Sequence, residues 1–222
     1  MSTAEQWAQV DRYFIDKLVQ EDQVLEATRE SSGDTLFPGI DVAPNMGAFL
    51  SLLVQITGAR RILEIGTLAG YSAIWMARAA GAEADVVTCE LEETNAAVAR
   101  ANFERAGVAD RVRIMLGAAA DSVQSMIDQG AERFDLVFID ADKRSNPTYL
   151  DAAVQLSRPG TVIVIDNTVR GGKVIDETSE DPDIIGTRRL IDMIAEQPGL
   201  TATALQTVGM KGWDGFTLVR VG

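Results

Sequence analysis

The stretch "RRILEIGTLAGYSAIWMARAA", residues 60–80, decides the fold. A short apolar run that ends in glycine predicts a strand over 60–66, and apolar residues at helical spacing predict a helix over 70–80. The turn between them has the pattern E-x-G-x-x-x-G. Leu68 stands where the dinucleotide-binding fingerprint Gly-x-Gly-x-x-Gly has its middle glycine, so the turn is not that fingerprint.

The rest of the chain repeats this alternation of short apolar runs and helical patterns. Further strands are predicted at 85–91, 111–117, 134–140, 161–166, 201–208 and 215–221, with helices at 93–107, 119–129, 147–157 and 184–197. Such alternation predicts βαβ units and a parallel sheet. Runs such as "LVFI" are apolar at every residue, which favours strands covered on both faces. The last two strands are separated only by 209–215, too few residues for a helical crossover, so they are predicted to pair antiparallel.

Residues 1–59 precede the first strand, with helical patterns at roughly 4–30 and 45–57. No repeat, low-complexity tract or linker interrupts the chain, and 222 residues suit one α/β core. We therefore expect a single domain over residues 1–222.

Composition argues against several classes of protein. The net charge of -13 disfavours a nucleic-acid partner, because such a partner rewards a basic face. Cys89 is the single cysteine and cannot form an internal disulfide. The start "MSTAEQWAQVDRYF" lacks the pattern of a signal peptide, and no apolar stretch approaches the roughly 20 residues that cross a bilayer. These features predict a cytoplasmic protein with no membrane partner.

Polar residues at the carboxyl ends of the predicted strands mark the candidate ligand site. The glycine-rich turn would present amide N–H groups to a ligand. Glu64 beside the turn would repel a pyrophosphate but attract a cation, and Glu90 at the next strand end could accept both hydroxyls of a ribose. Small residues at 117–121 could admit a flat adenine. S-adenosylmethionine, an adenosine with a cationic amino-acid tail, fits this set.

Oxygen-bearing side chains end two further strands. "FIDADK" (138–143) places Asp140 at one end, and "VIVIDNT" (162–168) places Asp166 and Asn167 at the other. Such hard donors suit Mg²⁺, with Ca²⁺ or Mn²⁺ as alternatives. The chain has no histidine, so proton chemistry near neutrality requires a metal or a lysine in place of the usual imidazole.

These motifs resemble those of the small cation-dependent O-methyltransferases, the family of catechol O-methyltransferase and caffeoyl-CoA O-methyltransferase. The matching strings are "ILEIGTLAGYS" (62–72), "FIDADK" (138–143), "VIVIDNTVRGGKV" (162–174) and "WDGFTLVRV" (213–221). The lead-in "GIDVAPNMGAFLSLL" (39–53) is similar to the family segment that folds over the cofactor and acceptor. The resemblance implies an α/β, Rossmann-like class I methyltransferase fold. Its seven-stranded sheet is mostly parallel with an antiparallel last strand, and helices lie on both faces.

The resemblance also implies roles for individual residues. Lys143 matches the catalytic lysine that takes the proton from the reacting hydroxyl. The positions that match metal ligands are Asp140, Asp166 and Asn167. The positions that match cofactor contacts are Val42, Glu64, Gly66, Ser72, Glu90, Ala118, Ala119, Asp140 and Asp142. The implied acceptor is a small phenol with two adjacent hydroxyls, of catechol or caffeoyl type, and the implied assembly is a homodimer formed through the N-terminal helices.

Three alternatives stay open from the sequence. A metal-independent methyltransferase would use the same cofactor residues without the oxygen donors. A nicotinamide-dependent oxidoreductase and a non-catalytic sensor of an adenosyl ligand could share the sheet. Arg144, Arg170 and Lys173 follow the two strand ends and are either a solvated surface or a basic rim that favours an anionic acceptor.

Overall fold

A seven-stranded sheet runs through the computed structural model, which describes residues 2–222. Its strands are β1 (Arg61–Ile65), β2 (Asp85–Glu90), β3 (Val112–Leu116), β4 (Phe134–Ile139), β5 (Ser157–Asp166), β6 (Leu200–Gly209) and β7 (Gly212–Val221). Their order is β3-β2-β1-β4-β5-β7-β6. The first five strands are parallel, and β7 is antiparallel to both of its neighbours. The predicted mostly parallel sheet with an antiparallel last strand is confirmed.

Helices cover both faces of this sheet, as predicted. Within residues 2–222 they are α1 (Thr3–Leu18), α2 (Gln23–Ser31), α3 (Pro44–Thr57), α4 (Tyr71–Ala80), α5 (Glu93–Ala106), α6 (Ala119–Asp128), α7 (Asn146–Gln155) and α8 (Pro182–Glu196). One core cluster joins α2–α5 to the sheet and another joins α6–α8. Alternate residues of β1 enter the two clusters: Ile62 packs with the first and Leu63 with the second.

None of these helices is long and apolar enough to cross a bilayer. The cytoplasmic location stays a prediction.

Three predicted boundaries are wrong. The helical pattern over 4–30 is broken into α1 and α2, because the Asp22 side chain accepts a hydrogen bond from Leu25 N at 3.0 Å and starts a new helix. The segment 209–215, predicted as a connection, instead extends both strands and leaves Met210 and Lys211 as a two-residue hairpin turn. Strand β5 also begins four residues before its predicted start.

The end of β1 passes very close to the end of β4. Gly66 has a φ of 103°, and a Cβ atom at this position would collide with the main-chain carbonyl oxygen of Asp140. On its other side Gly66 N donates to Cys89 O of β2 at 3.1 Å, while Asp140 N donates to Ile65 O at 2.8 Å. Only glycine combines this conformation with this approach. The contact brings the glycine-rich turn beside the acidic end of β4.

We expect Gly66→Ala to lower the free energy of unfolding by more than about 2 kcal/mol, because it adds a clash with Asp140 to an unfavourable left-handed φ. Urea unfolding measures this loss. Gly130→Ala is the matched control, since Gly130 has a φ of 64° but open space around its Cβ position. It should cost only about 1–2 kcal/mol. Equal losses in the two variants would show that the approach to β4 carries no steric constraint.

Candidate active site

Two adjoining cavities open at the carboxyl ends of the parallel strands. The first has a volume of about 780 Å³ and is bordered by the glycine-rich turn, the end of β2, the start of α6 and the loop after β4. The second has a volume of about 540 Å³ and lies between the ends of β4 and β5, the lead-in to α3 and the β6–β7 hairpin. The residues that line both cavities are Ile40, Asp41, Val42, Asp140, Asn167 and Arg170. The two chambers therefore meet at the acidic end of β4.

Glu90 ends β2 inside the first cavity and holds the glycine-rich turn in place. Its Oε2 accepts a hydrogen bond from Leu68 N at 2.8 Å, and its Oε1 accepts from Glu92 N at 3.0 Å and Asn95 Nδ2 at 3.1 Å. Leu68 has a φ of 49°, a conformation that non-glycine residues rarely adopt. The carboxylate thus fixes a strained turn and still borders the space where a ligand would lie.

Glu64 lies beneath the turn and lines neither cavity. It is fully buried, and it accepts hydrogen bonds from Ser72 Oγ at 2.5 Å and Thr88 Oγ1 at 2.6 Å. Burial raises the pKa of Glu64 to about 7, although both hydroxyls favour its charged form, and the negative charges of Asp140 and Glu90 raise it further. Ser72 lines the first cavity, so Glu64 reaches a ligand there through Ser72.

The other predicted cofactor residues surround the first cavity. Ala118 and Ala119 border it at the start of α6, and Val42 closes it from the lead-in. Asp142 accepts hydrogen bonds from Tyr149 Oη at 2.6 Å and Ser145 Oγ at 2.5 Å. Small side chains on one wall and an oriented carboxylate on another leave room for a flat ring.

The three predicted metal donors all line the second cavity. Asp140 and Asp166 follow Ile139 and Ile165, which are paired in register on neighbouring strands, and Asn167 lies beside them with a φ of 57°. Burial and the nearby charge of Asp140 raise the pKa of Asp166 to about 7, while Lys143 acts in the opposite direction. Within residues 2–222 no three His, Cys, Asp or Glu side chains group to hold a metal ion. The donors here are two carboxylates and one amide.

Lys143 is the charged partner of this group. Its Nζ donates a hydrogen bond to Asp140 Oδ1 at 2.7 Å, and the residue is only 6% exposed. A Cβ atom at Gly186 of α8 would collide with the carbonyl oxygen of Lys143, so glycine lets α8 pack directly on this turn. The lysine amine is thus fixed on the wall of the first cavity, next to the end of β4.

Asp214 is a site residue that the motifs quoted from the sequence contain but do not explain. Its Oδ1 accepts hydrogen bonds from Val169 N at 3.1 Å and Arg170 N at 2.9 Å, and Thr168 N donates to Gly215 O at 2.9 Å. The hairpin therefore holds the loop that follows Asn167. The sequence did not predict these hydrogen bonds, because Asp214 lies 45 residues from Val169 along the chain.

Sequence comparison identifies relatives along almost the whole chain. A family described as O-methyltransferase matches residues 16–221. A catechol O-methyltransferase from Mycobacterium tuberculosis is 49% identical over 212 residues, which cover 96% of this chain and 94% of that protein.

Solved structures agree with this result. The O-methyltransferase from Bacillus cereus in complex with SAH is 51% identical and has a TM-score of 0.96, with 99% of this chain and 100% of that chain covered. TomG from Streptomyces achromogenes, an O-methyltransferase involved in tomaymycin synthesis and solved in complex with SAM, is 43% identical with a TM-score of 0.95. That match covers 100% of this chain and 99% of TomG.

We expect Glu64 to make the ligand-free protein less stable as the pH rises. Its pKa is about 7 in the folded state and 4.5 in the unfolded reference, so the folded state binds the proton more tightly. The stabilisation is complete below the unfolded pKa and is lost as the pH rises through about 7. In urea unfolding, wild type should lose up to about 3 kcal/mol relative to Glu64→Gln between about pH 5 and about pH 8.

Glu104→Gln, which removes a carboxylate from an exposed position on α5, is the control for loss of charge alone. Parallel pH dependence in wild type and Glu64→Gln would show that the buried carboxylate does not titrate in this range.

Proposed function

This chain belongs to the O-methyltransferase family, and from that premise we propose that it transfers a methyl group from S-adenosylmethionine to a phenol with two adjacent hydroxyls, using a divalent cation. The observation that carries the proposal is that Asp140 and Asn167 line both cavities, with Asp166 on the second and Lys143 hydrogen-bonded to Asp140 on the first. Membership of an O-methyltransferase family decides against the oxidoreductase and the sensor. The acceptor is proposed to be of catechol or caffeoyl type.

The first cavity is proposed to hold S-adenosylmethionine. This proposal is supported by the SAH and SAM bound in the two similar structures and by the residues that line the first cavity. Glu90 would accept hydrogen bonds from the ribose hydroxyls, Ala118 and Ala119 would face the adenine, and Ser72 would contact the methionine part. Glu64 would hold Ser72 from below and supply negative charge opposite the cationic tail.

The second cavity is proposed to hold the cation and the acceptor. Two carboxylates and an amide fit Mg²⁺, with Ca²⁺ or Mn²⁺ as alternatives, because hard cations prefer oxygen donors. Asp140, Asp166 and Asn167 would hold such a cation, which when bound would lower the pKa of a phenol. Asn167 keeps its unusual φ of 57° because the following loop is tied to Asp214, so its amide is presented from a fixed backbone.

Lys143 is proposed as the catalytic base. In its neutral form the amine could take the proton from the reacting hydroxyl. The hydrogen bond to Asp140 and the close packing of Gly186 hold the amine in one direction. Asp140 would then be both a ligand of the cation and the hydrogen-bond partner of Lys143. This shared residue would keep the base close to the hydroxyl that receives the methyl group. Holding the two reactants in line can supply up to about 7–11 kcal/mol of the acceleration.

We expect methyl transfer to a panel of vicinal diols to require a divalent cation, and EDTA to abolish it. Labelled S-adenosylmethionine, with and without Mg²⁺, measures this transfer. Asp166→Asn should weaken Mn²⁺ binding about 10- to 100-fold, because it removes one anionic donor. Electron paramagnetic resonance of free Mn²⁺ measures binding without turnover.

The Lys143→Ala variant tests the proposed base separately from the proposed metal site. It should keep Mn²⁺ binding but lose methyl transfer about 10²–10⁴-fold. Activity that survives EDTA would instead support the metal-independent alternative.

A homodimer is proposed from the exposed apolar side chains of α1 and its neighbours. On α1 the outward residues are Val10, Tyr13, Phe14 and Leu18, which are 47% to 73% exposed. Asp11, three residues before Phe14, ties α1 to the rest of the protein, since it accepts hydrogen bonds from Met210 N at 2.8 Å and Asn45 Nδ2 at 3.2 Å. Strand β6 at the sheet edge and the outer face of α3 expose further apolar side chains, Leu205, Val208, Leu52 and Ile56. Apolar surface of this kind favours a partner.

We expect wild type to sediment as a dimer and Phe14→Asp to sediment as a monomer, because a charge would be buried in the contact. Gln9→Asp introduces the same charge at an exposed position elsewhere on α1 and should stay dimeric. A wild type that is monomeric at every concentration would contradict this arrangement.

A further inference from the structure

Arg170 stands at the junction of the two cavities. Among the residues described, it is the basic side chain that lines both chambers. Its backbone is fixed, because its N–H donates to Asp214 Oδ1 at 2.9 Å and its φ is 57°. It follows the proposed metal donor Asn167 by three residues. The β6–β7 hairpin therefore fixes the backbone position from which the Arg170 side chain extends.

The guanidinium of Arg170 lacks a hydrogen-bond acceptor. Its Nε is buried and has no partner within residues 2–222. The nearest acid is Asp183, whose Oδ2 lies 4.0 Å from Arg170 Nη2, too far for a hydrogen bond. Buried donors in native proteins almost always have partners, so this guanidinium is incompletely hydrogen-bonded where the residue borders both cavities.

The other cations around the cavities are engaged or lie outside. Lys143 donates to Asp140, Lys211 donates to Gly39 O at 2.7 Å, and Arg144 lies 3.5 Å from Asp183 Oδ1. Lys173 is exposed and lines neither cavity. In a chain of net charge -13, a guanidinium beside the second cavity whose ion pair with Asp183 is as long as 4.0 Å is a specific positive feature.

The second cavity also provides an apolar wall. Phe49 and Phe216 both line it with ring centroids 4.9 Å apart, and Met46 lies beside them. An aromatic ring could pack there while its diol faces the donors at the end of β4. An anionic substituent on that ring could then reach Arg170.

We infer that Arg170 binds a carboxylate of the acceptor, so that the preferred acceptor is an aromatic vicinal diol with a carboxylate. This rests on the proposed function of the second cavity. A guanidinium offers two parallel N–H donors to a carboxylate, which makes it both a stronger and a more directional partner than a lysine ammonium.

Asp41 favours the opposite charge, as do Asp11 and Asp214 elsewhere on the wall of the second cavity. It lines both cavities and could attract a diol that carries an amine. Its charge is offset in part, because Asp41 lies within electrostatic reach of Arg29. An amine-bearing diol is therefore included in the test.

The test compares kcat/KM for protocatechuate, catechol and dopamine in wild type, Arg170→Gln and Lys173→Gln. In wild type protocatechuate should be preferred, and Arg170→Gln should lower the protocatechuate-to-catechol ratio about 10- to 100-fold. Lys173→Gln removes the same charge three residues away and should change the ratio less than about twofold. Arg170→Lys should restore only part of the preference, because an ammonium cannot bind a carboxylate through two parallel donors.

Calorimetry with S-adenosylhomocysteine and Mg²⁺ present measures acceptor binding without turnover. The dissociation constant of protocatechuate should rise about 10- to 100-fold in Arg170→Gln. An unchanged ratio, or a wild type that prefers dopamine, would overturn the role of Arg170 and leave the proposed function intact. Failure of wild type to methylate any of the three diols would overturn the proposed function and this inference with it.

Discussion

The close approach of Gly66 to the Asp140 carbonyl is the contact on which the site depends. Strand β1 lies between β2 and β4, so the turn after β1 has the end of β2 on one side and the end of β4 on the other. The missing side chain at Gly66 lets the proposed cofactor chamber and the proposed metal donors share one boundary. A side chain there would separate them, and a methyl group can be transferred only between reactants in contact.

The same edge of the sheet concentrates negative charge in a buried place. Glu64, Glu90, Asp140 and Asp166 all lie there, and burial, followed by the nearby negative charge of Asp140, raises the pKa values of Glu64 and Asp166. The buried negative charge is unfavourable, and hydrogen bonds from hydroxyls, backbone N–H groups and Lys143 compensate only part of it. The positive charge of a sulfonium methyl donor and of a divalent metal, both proposed ligands, would compensate the remainder.

The sequence predicted the parts of the site that depend on strand ends and could not predict those that depend on loops. Parallel strands bring their carboxyl ends to one edge of the sheet, so Asp140 and Asp166 could be expected at that edge from pattern, and the family resemblance implied that their strands are neighbours. The position of Glu64 under the turn and the contact from Asp214 to Arg170 depend on tertiary packing. Arg170 lines the cavities and Lys173 does not, and this difference depends on the backbone angles after Asn167. Spacing along the chain does not encode those angles.

The two cavities also differ in which parts of the chain build them. The first is formed mainly by turns of the central βαβ units, which the sheet holds rigidly. The second takes its outer wall from the lead-in to α3 and from the β6–β7 hairpin, joined where Asp11 accepts from Met210 N. Changes in the lead-in or hairpin can therefore reshape the acceptor chamber without moving Glu90 or the glycine-rich turn. This separation explains how one sheet can keep a common methyl donor while the acceptor varies, since loop changes are tolerated where a rigid scaffold carries the shared chemistry.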